Sequence, residues 1–417
     1  MQWKNNKIYF DDVAAVDLAK HYGTPLYVYE AGRIRENTRR LIKAFAAHYE
    51  QFKIFYAVKS NTNPHIIRLL QEEGAGADTA SATEILLAKQ LGFTGNEILF
   101  SGNNLSDHDF ETAVASQVLF NLDDLSLLDR LLARTKPEVL SFRINPGVGK
   151  SNVHASDIMA GPDAKFGIPW EKTRQAYTKA KQAGIRRVGV HMMTGSCVTD
   201  PKYFEAITLK LLEVVGPVIR DLQLTLTFID IGGGFGIPYA PGEKHLDIEA
   251  TAQRVTQVLK QKSEEFGLGT PTLFVEPGRY LVGDAGFIIG RVHAIKESYK
   301  KFVGTDVGMS VLARPVLYDA YHHIDVDGKP AGKGVPSEAV HVCGQACENA
   351  DAWAKDRKLP RLEVGDLIVV ENAGAYGYVM SYPYNGRLRP AEVLVEGPAH
   401  KLIRRRETLE DWLQLVP

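Results

Sequence analysis

Cysteine is scarce: Cys197, Cys343 and Cys347 are the only three in 417 residues. So few, and odd in number, they build no disulfide framework, and free thiols in a reducing cytoplasm are expected. Long apolar runs are missing too. Leu211 to Ile219 is broken by Glu213 and Pro217, far short of the about 20 apolar residues a membrane-spanning helix needs. Met1-Gln2-Trp3-Lys4-Asn5-Asn6 leads into mixed polar and apolar sequence, so no secretion signal is expected. Nor does one sign of charge prevail. With 49 basic and 50 acidic residues and a net charge of −1, no field gathers nucleic acid or an anionic membrane. The expected partner is a small molecule, not nucleic acid or a membrane.

What is present has the make-up of a globular enzyme. Hydrophobic residues are 45% and charged residues 24% of the chain, which supports a large core and argues against long disordered stretches. The length exceeds one compact core, so two domains are expected. From about Ala31 to Pro271, short β-branched or apolar runs alternate with amphipathic stretches. The strand candidates are 54–58, 139–144, 188–191 and 228–231, and the helix candidates are 64–73, 82–91 and 201–215. That alternation predicts an α/β fold, a (β/α)₈ barrel over residues 31–271. After about Glu276 the texture turns to Gly- and Pro-punctuated strands at 287–295, 338–343, 367–371 and 392–395. An antiparallel β-domain of residues 272–417, joined by 1–30 with its β-like Pro25 to Tyr29, is expected.

Four motifs carry chemistry. Lys59 sits in Phe55-Tyr56-Ala57-Val58-Lys59-Ser60-Asn61, after a β run and before a helix, the place where a barrel gathers catalytic residues. A lysine flanked by apolar residues can form a Schiff base; a solvated lysine at a strand end fits as well. Ile229-Asp230-Ile231-Gly232-Gly233-Gly234-Phe235-Gly236 is a strand entering a glycine turn that suits a phosphate cradle, or a plain tight loop. Val275-Glu276-Pro277-Gly278-Arg279 offers a carboxylate able to keep a pyridine nitrogen protonated, or a surface ion pair. Cys343-Gly344-Gln345-Ala346-Cys347-Glu348 has Cys-x3-Cys spacing but no second ligand pair, so no metal is expected. A cysteine beside a glutamate suits proton donation and ammonium binding.

Taken as an ordered set, these motifs resemble the fold type III pyridoxal-phosphate decarboxylases, the ornithine, diaminopimelate and arginine decarboxylase family, and within it the diaminopimelate decarboxylase branch. The resemblance runs from Tyr27 to Val395 and includes Gly76-Ala77-Asp78, Lys165-Phe166-Gly167-Ile168, Tyr384-Asn385 and Arg389-Pro390-Ala391-Glu392. It implies pyridoxal 5'-phosphate as cofactor, Lys59 as the lysine that carries it and Glu276 as the partner of its ring nitrogen. It places Ser196, Gly233, Gly234, Gly278 and Tyr376 about the phosphate, with Arg143 and Asp78 supporting. It gives Arg279, Arg314 and Tyr318, beside Tyr376, to the far end of the substrate, whose distal carboxylate suits two arginines and a tyrosine. Cys347 as proton donor and Glu348 as ammonium partner would come from the other subunit of a homodimer. The implied reaction is decarboxylation of meso-diaminopimelate to L-lysine.

The chain departs from the family near the site. The usual His-x-His-Ile-Gly-Ser run reads His191-Met192-Met193-Thr194-Gly195-Ser196, so Met193 takes the ring-stacking position, where a thioether still packs on an aromatic face. Asn349 and Ala350 replace Ser-Gly, and Met309-Ser310-Val311 replaces Met-Asn-Asp. Such changes also suit a branch acting on a D-amino acid or on a siderophore or antibiotic intermediate. A racemase of the same architecture would set an arginine where Glu276 stands, and a non-catalytic descendant would have lost Lys59 or Cys347. His65, His322 and His323 are expected to be structural or solvated. Tyr382-Pro383-Tyr384 is expected to form pocket wall or dimer interface.

Overall fold

The computed structural model describes residues 1–152, 154, 158–332 and 335–417. The chain forms two compact units, one of residues 37–237 and 244–280, the other of 1–36, 238–243 and 281–417. Among the described residues no helix is long and apolar enough to cross a membrane.

The first unit is a closed parallel barrel. Its strands are β1 (Phe52–Ala57), β2 (Gly76–Thr79), β3 (Ile98–Phe100), β4 (Leu119–Leu122), β5 (Val139–Asn145), β6 (Arg187–His191), β7 (Thr225–Asp230) and β8 (Thr272–Val275). Each pairs in parallel with the next, and β8 returns to β1. The helices start where side chains cap them. Asn63 accepts the His65 N–H at 3.0 Å, Ser81 the Glu84 N–H at 3.3 Å, and Asp200 the Lys202 N–H at 3.0 Å, each satisfying an N–H that the helix itself leaves unpaired. Proline follows Asn63 and Asp200 at the first helical position, where its missing N–H costs nothing. The helix at Pro201–Asp221 runs past Val215 and through Pro217, because buried Leu211, Leu212, Val215, Val218 and Ile219 anchor both sides of the one lost hydrogen bond.

An aromatic plug fills part of the barrel. Phe274 lies 4.7 Å from Phe55 and 4.5 Å from Phe228, ring centre to ring centre, and each buried ring contributes roughly 1.5–3 kcal/mol. Two glycines make room for it. A Cβ on Gly76 would lie 2.8 Å from the Phe55 ring, and one on Gly189 would collide with the Phe228 ring. Gly189→Val is therefore expected to destabilise the protein by about 1–3 kcal/mol through overpacking, read as a lower denaturant midpoint; an unchanged midpoint would remove the plug from this account. Strand pleating then carries the inward face upward. Two residues beyond Phe274 stands Glu276, beyond Phe228 Asp230, beyond Gly189 His191 and beyond Gly76 Asp78.

Here the structure corrects both expected barrel boundaries. The barrel does not end at residue 271, since Thr272–Val275 is β8, paired with β7 and β1. A short apolar run suits a strand of either unit, and Phe274's ring contacts decide which. Residues 31–36 group with the other unit.

The second unit is a β-domain with the strand order Ala354–Pro360, Ser337–Cys343, Lys301–Thr305, Gly286–Glu297, Leu26–Glu30, Ala391–Glu396, Ala399–Arg404. It is mixed, not wholly antiparallel: Leu26–Glu30 pairs in parallel with Ala391–Glu396, and Lys301–Thr305 with Ser337–Cys343. The N-terminal segment belongs here. Ile8, Phe10, Leu18, Leu26 and Val28 share one core with Phe287, Ile289, Val369 and Val393, and this burial fixes the register of the central strands. The 282–286 and 373–374 backbones run so close together that a Cβ on Gly374 would strike the Val282 carbonyl.

Candidate active site

The C-terminal ends of the barrel strands collect the titratable groups. Lys59 follows β1 in a single 3-10 turn, Val58–Ser60, which turns its side chain out of the strand. Its Nζ donates to Asp78 Oδ2 at 2.9 Å, from just beyond the middle of β2. The lysine is exposed and the aspartate 1% exposed. Burial, with help from the Glu276 charge and against the pull of Lys59, pushes Asp78 up to about 7.

Glu276, fully buried just after β8, behaves oppositely. Burial alone would raise it, but the His191 charge and hydrogen bond, with Lys59 and Arg143 adding, hold its carboxyl down to about 2. His191 Nε2 lies 3.2 Å from Glu276 Oε2. Asp230, on the same face of β7, is pushed well up by burial and by the Glu276 charge, so it keeps its proton while Glu276 stays ionised. Its Oδ1 also accepts the Gly232 N–H at 2.7 Å, tying the glycine turn to the strand.

That turn has backbone requirements only glycine meets. Gly232 and Gly234 have φ of +70° and +88°, a region that side chains disfavour. A Cβ on Gly233 would run into the Glu276 carbonyl, and one on Gly234 would lie 2.6 Å from the Gly195 carbonyl. Gly278 is equally confined, with Ser60 Oγ 2.8 Å from its would-be Cβ. Arg279 Nη2 donates to Ser196 Oγ at 3.3 Å. Gly234→Val is accordingly expected to weaken cofactor affinity by at least about tenfold, since it adds strain of order 1–3 kcal/mol at a positive φ; equilibrium titration with pyridoxal phosphate reads this, and unchanged affinity would dissociate the turn from the phosphate.

Met193 stands over the glycine turn, its Sδ accepting the Gly233 N–H at 3.2 Å. Its carbonyl, with that of Met159, accepts from Arg143 Nη2 at 3.4 and 3.3 Å. Arg143 is buried on β5, its guanidinium 4.4 Å above the Phe166 ring and 3.8 Å from Asp123. Burial lowers its pKa, with Asp123 and Glu276 opposing.

The barrel rim thus joins Lys59, Asp78, Arg143, Met193, Ser196, Gly233, Gly234, Glu276, Gly278 and Arg279 in one network. It also adds His191 and Asp230, to which their motifs give no role of their own, and Asp123, which lies in none. Counting two residues along β6 and β7 from the apolar interior would have found the first two.

The remaining predicted residues lie in the β-domain. Arg314 and Tyr318 bracket the short helix Arg314–Tyr318, with Arg314 1% exposed. Cys347 and Glu348 sit exposed on a loop that Asn385 Oδ1 holds through the Cys347 N–H at 2.8 Å and Asp351 Oδ2 through the Ala346 N–H at 2.7 Å. Cys343 donates its thiol to the Val303 carbonyl. Tyr376 has a positive φ of 56° between Gly374 and Gly377. Of the structural or solvated roles expected for His322 and His323, the contacts are those of the structural one: His322 lies between Arg314 and the Glu371 carbonyl, and His323 Nε2 is 3.6 Å from Asp325.

The barrel site fits a pyridoxal-type group. Glu276 Oε1 and Asp78 Oδ1 are buried and meet no protein hydrogen-bond partner, which suits an ionised carboxylate facing a protonated ring nitrogen. The glycine turn suits a phosphate, and Lys59 supplies the amine. Residues 32–283 match the model of the pyridoxal-binding domain of pyridoxal-dependent decarboxylases, and the chain belongs to that family. Its relatives include diaminopimelate decarboxylases. The one from Methanothermobacter thermautotrophicus is 45% identical over 96% of this chain and 93% of its own. The one from Thermoplasma acidophilum is 39% identical over 96% and 94%. The crystal structure of diaminopimelate decarboxylase from M. jannaschii in co-complex with L-lysine superposes with a TM-score of 0.90 at 33% identity, covering 100% of this chain and 98% of that one.

Proposed function

We infer that the protein is a carboxy-lyase that uses pyridoxal phosphate to remove carbon dioxide from meso-diaminopimelate and release L-lysine. The observation that carries this reading is near full-length kinship at 45% identity with a diaminopimelate decarboxylase, in a chain that keeps Lys59 beside Asp78 and an ionised Glu276 at the barrel rim. When bound, the cofactor supplies a protonated ring that draws off the electron pair left by departing carbon dioxide.

The chain's own residues do the rest. Lys59 would hold the cofactor through its amine. Glu276 stays anionic and keeps the ring nitrogen protonated, with His191 orienting it. Ser196, Gly233, Gly234, Gly278 and Tyr376 would hold the phosphate, and Met193 would supply a thioether for the ring to pack on. Arg279, Arg314 and Tyr318 take the distal carboxylate. In the cytoplasmic homodimer we propose, Cys347 of a second copy gives its thiol proton to the carbon that lost the carboxylate, and Glu348 takes the distal ammonium. Because L-lysine keeps the L centre, the carboxylate lost is that of the D centre.

Met193 and the changed 309–311 and 349–350 segments favour, as second reading, a decarboxylase of the same chemistry for a different amino acid. Arg314→Ala separates the two. It is expected to raise KM for meso-diaminopimelate about 100-fold, the loss of charge-assisted hydrogen bonds, with the cofactor still bound. An unchanged kcat/KM would end the substrate assignment and leave the family intact.

A further inference from the structure

Arg314 is a buried arginine whose orientation has an identifiable origin. At 1% exposure, its guanidinium must be held by the protein around it. One face lies over the Tyr239 ring, 4.4 Å from its centre. Its Nη1 donates to His322 Nε2 at 2.8 Å. A nitrogen that accepts from arginine carries a lone pair, so His322 has its proton on Nδ1. Nδ1 lies 2.8 Å from the Glu371 carbonyl, the acceptor such a proton needs. Both ring nitrogens are therefore committed, and the imidazole is neutral. The ring is 0% exposed and packs edge-on to Tyr239, at 5.3 Å and 79°.

The backbone fixes this bridge at its far end. The Glu371 N–H donates to the His323 carbonyl at 3.0 Å, so the 322–323 segment is tied to Glu371 through both its main chain and its side chain. Glu371 directly follows strand Leu367–Val370, all four residues of which are buried. The direction of the Arg314 fork is thus set from a rigid strand through an imidazole.

We propose that His322 is a positioning residue for the substrate's distal carboxylate, acting through Arg314; this rests on the reading that Arg314 binds that carboxylate. The chemistry favours an imidazole over an acidic side chain at this position. A carboxylate would orient the guanidinium but would cancel its charge and compete with the substrate. A neutral imidazole fixes one N–H and adds no negative charge of its own, so it orients the arginine without weakening its attraction for an anion, and the held fork loses little freedom when one binds.

The test uses the holoenzyme and three substitutions. His322→Phe keeps the ring and removes the acceptor. His322→Gln reaches the Nε2 position with an amide oxygen, and His322→Asn reaches only the Nδ1 side and serves if the Phe variant fails to fold. KM and kcat for meso-diaminopimelate are measured together with inhibition by L-lysine, which retains the carboxylate, and by 1,5-diaminopentane, which lacks it. His322→Phe and His322→Asn are expected to raise KM and the L-lysine inhibition constant about tenfold, the scale of one hydrogen bond to a charged group, with kcat and diamine inhibition unchanged. His322→Gln should restore most of the loss. Equal weakening of both inhibitors would mean a merely structural role and overturn the proposal. So would an unchanged KM in the Phe and Asn variants while Arg314→Ala raises it. If Arg314→Ala itself leaves KM unchanged, the reading of Arg314 fails, and the positioning role fails with it.

Discussion

Lys59→Ala is expected to lower kcat for decarboxylation by about 10⁴-fold or more, the scale of losing a covalent catalytic group. Lys59 follows the apolar strand Phe52–Ala57 into a turn at the barrel rim, and its Nζ donates to the buried Asp78. The fold should persist. Without the lysine charge one of the forces lowering Asp78 is gone, so a carboxyl already at about 7 moves further up and is neutral at working pH, leaving no bare buried anion. Lys59→Arg should not rescue, because a guanidinium keeps its proton and its planar fork. The checks are steady-state turnover and the cofactor's visible absorbance. Retention of more than about a tenth of kcat, against the loss expected for a covalent group, would remove Lys59 from the mechanism.

Glu276→Gln should be the next largest loss, about 10²- to 10³-fold in kcat, the scale for removing one preorganised electrostatic partner. Glutamine keeps the shape and removes the charge that holds the ring nitrogen protonated. The sign of the pH dependence follows from the same geometry. His191, Lys59 and Arg143 hold the Glu276 pKa at about 2, below the ordinary glutamate value of about 4.3. A depressed acid favours the fold at pH above the ordinary range, and that contribution is lost as pH falls through about 2. Glu276 therefore stays ionised across the working range and adds no acid limb near pH 4 to the rate profile. A limb there that disappears in Glu276→Gln would contradict the assigned protonation state.

Much of the site could be read from the chain because strand ends carry their own punctuation. Lys59 follows an apolar run and precedes a proline-started helix, Gly232 to Gly234 end β7, and Glu276-Pro277-Gly278 ends β8. The strands at 76–79, 98–100 and 119–122 are too short to show a period of two, so they were not legible. The β8 boundary turned on ring contacts of Phe274 with Phe55 and Phe228, which are distant in sequence. The parallel pairing of Leu26–Glu30 with Ala391–Glu396 left no local trace for the same reason. His191 and Asp230 stand inside the 191–196 and 229–236 runs, but those runs give them no role of their own, and it is their place two residues above the aromatic plug that brings them to Glu276. For His322 the sequence supports no more than a structural or solvated role, because its partners, Arg314 and the Glu371 carbonyl, meet it only in the folded β-domain.

The most direct measurement is carbon dioxide release by the purified protein with added pyridoxal phosphate, comparing meso-diaminopimelate with D- and L-lysine and D- and L-ornithine. Fast turnover of diaminopimelate alone, with L-lysine formed in equal amount, is the expected result. No release from diaminopimelate, with turnover of another amino acid, would contradict the substrate assignment and trace the change to Met193 and the 309–311 and 349–350 segments.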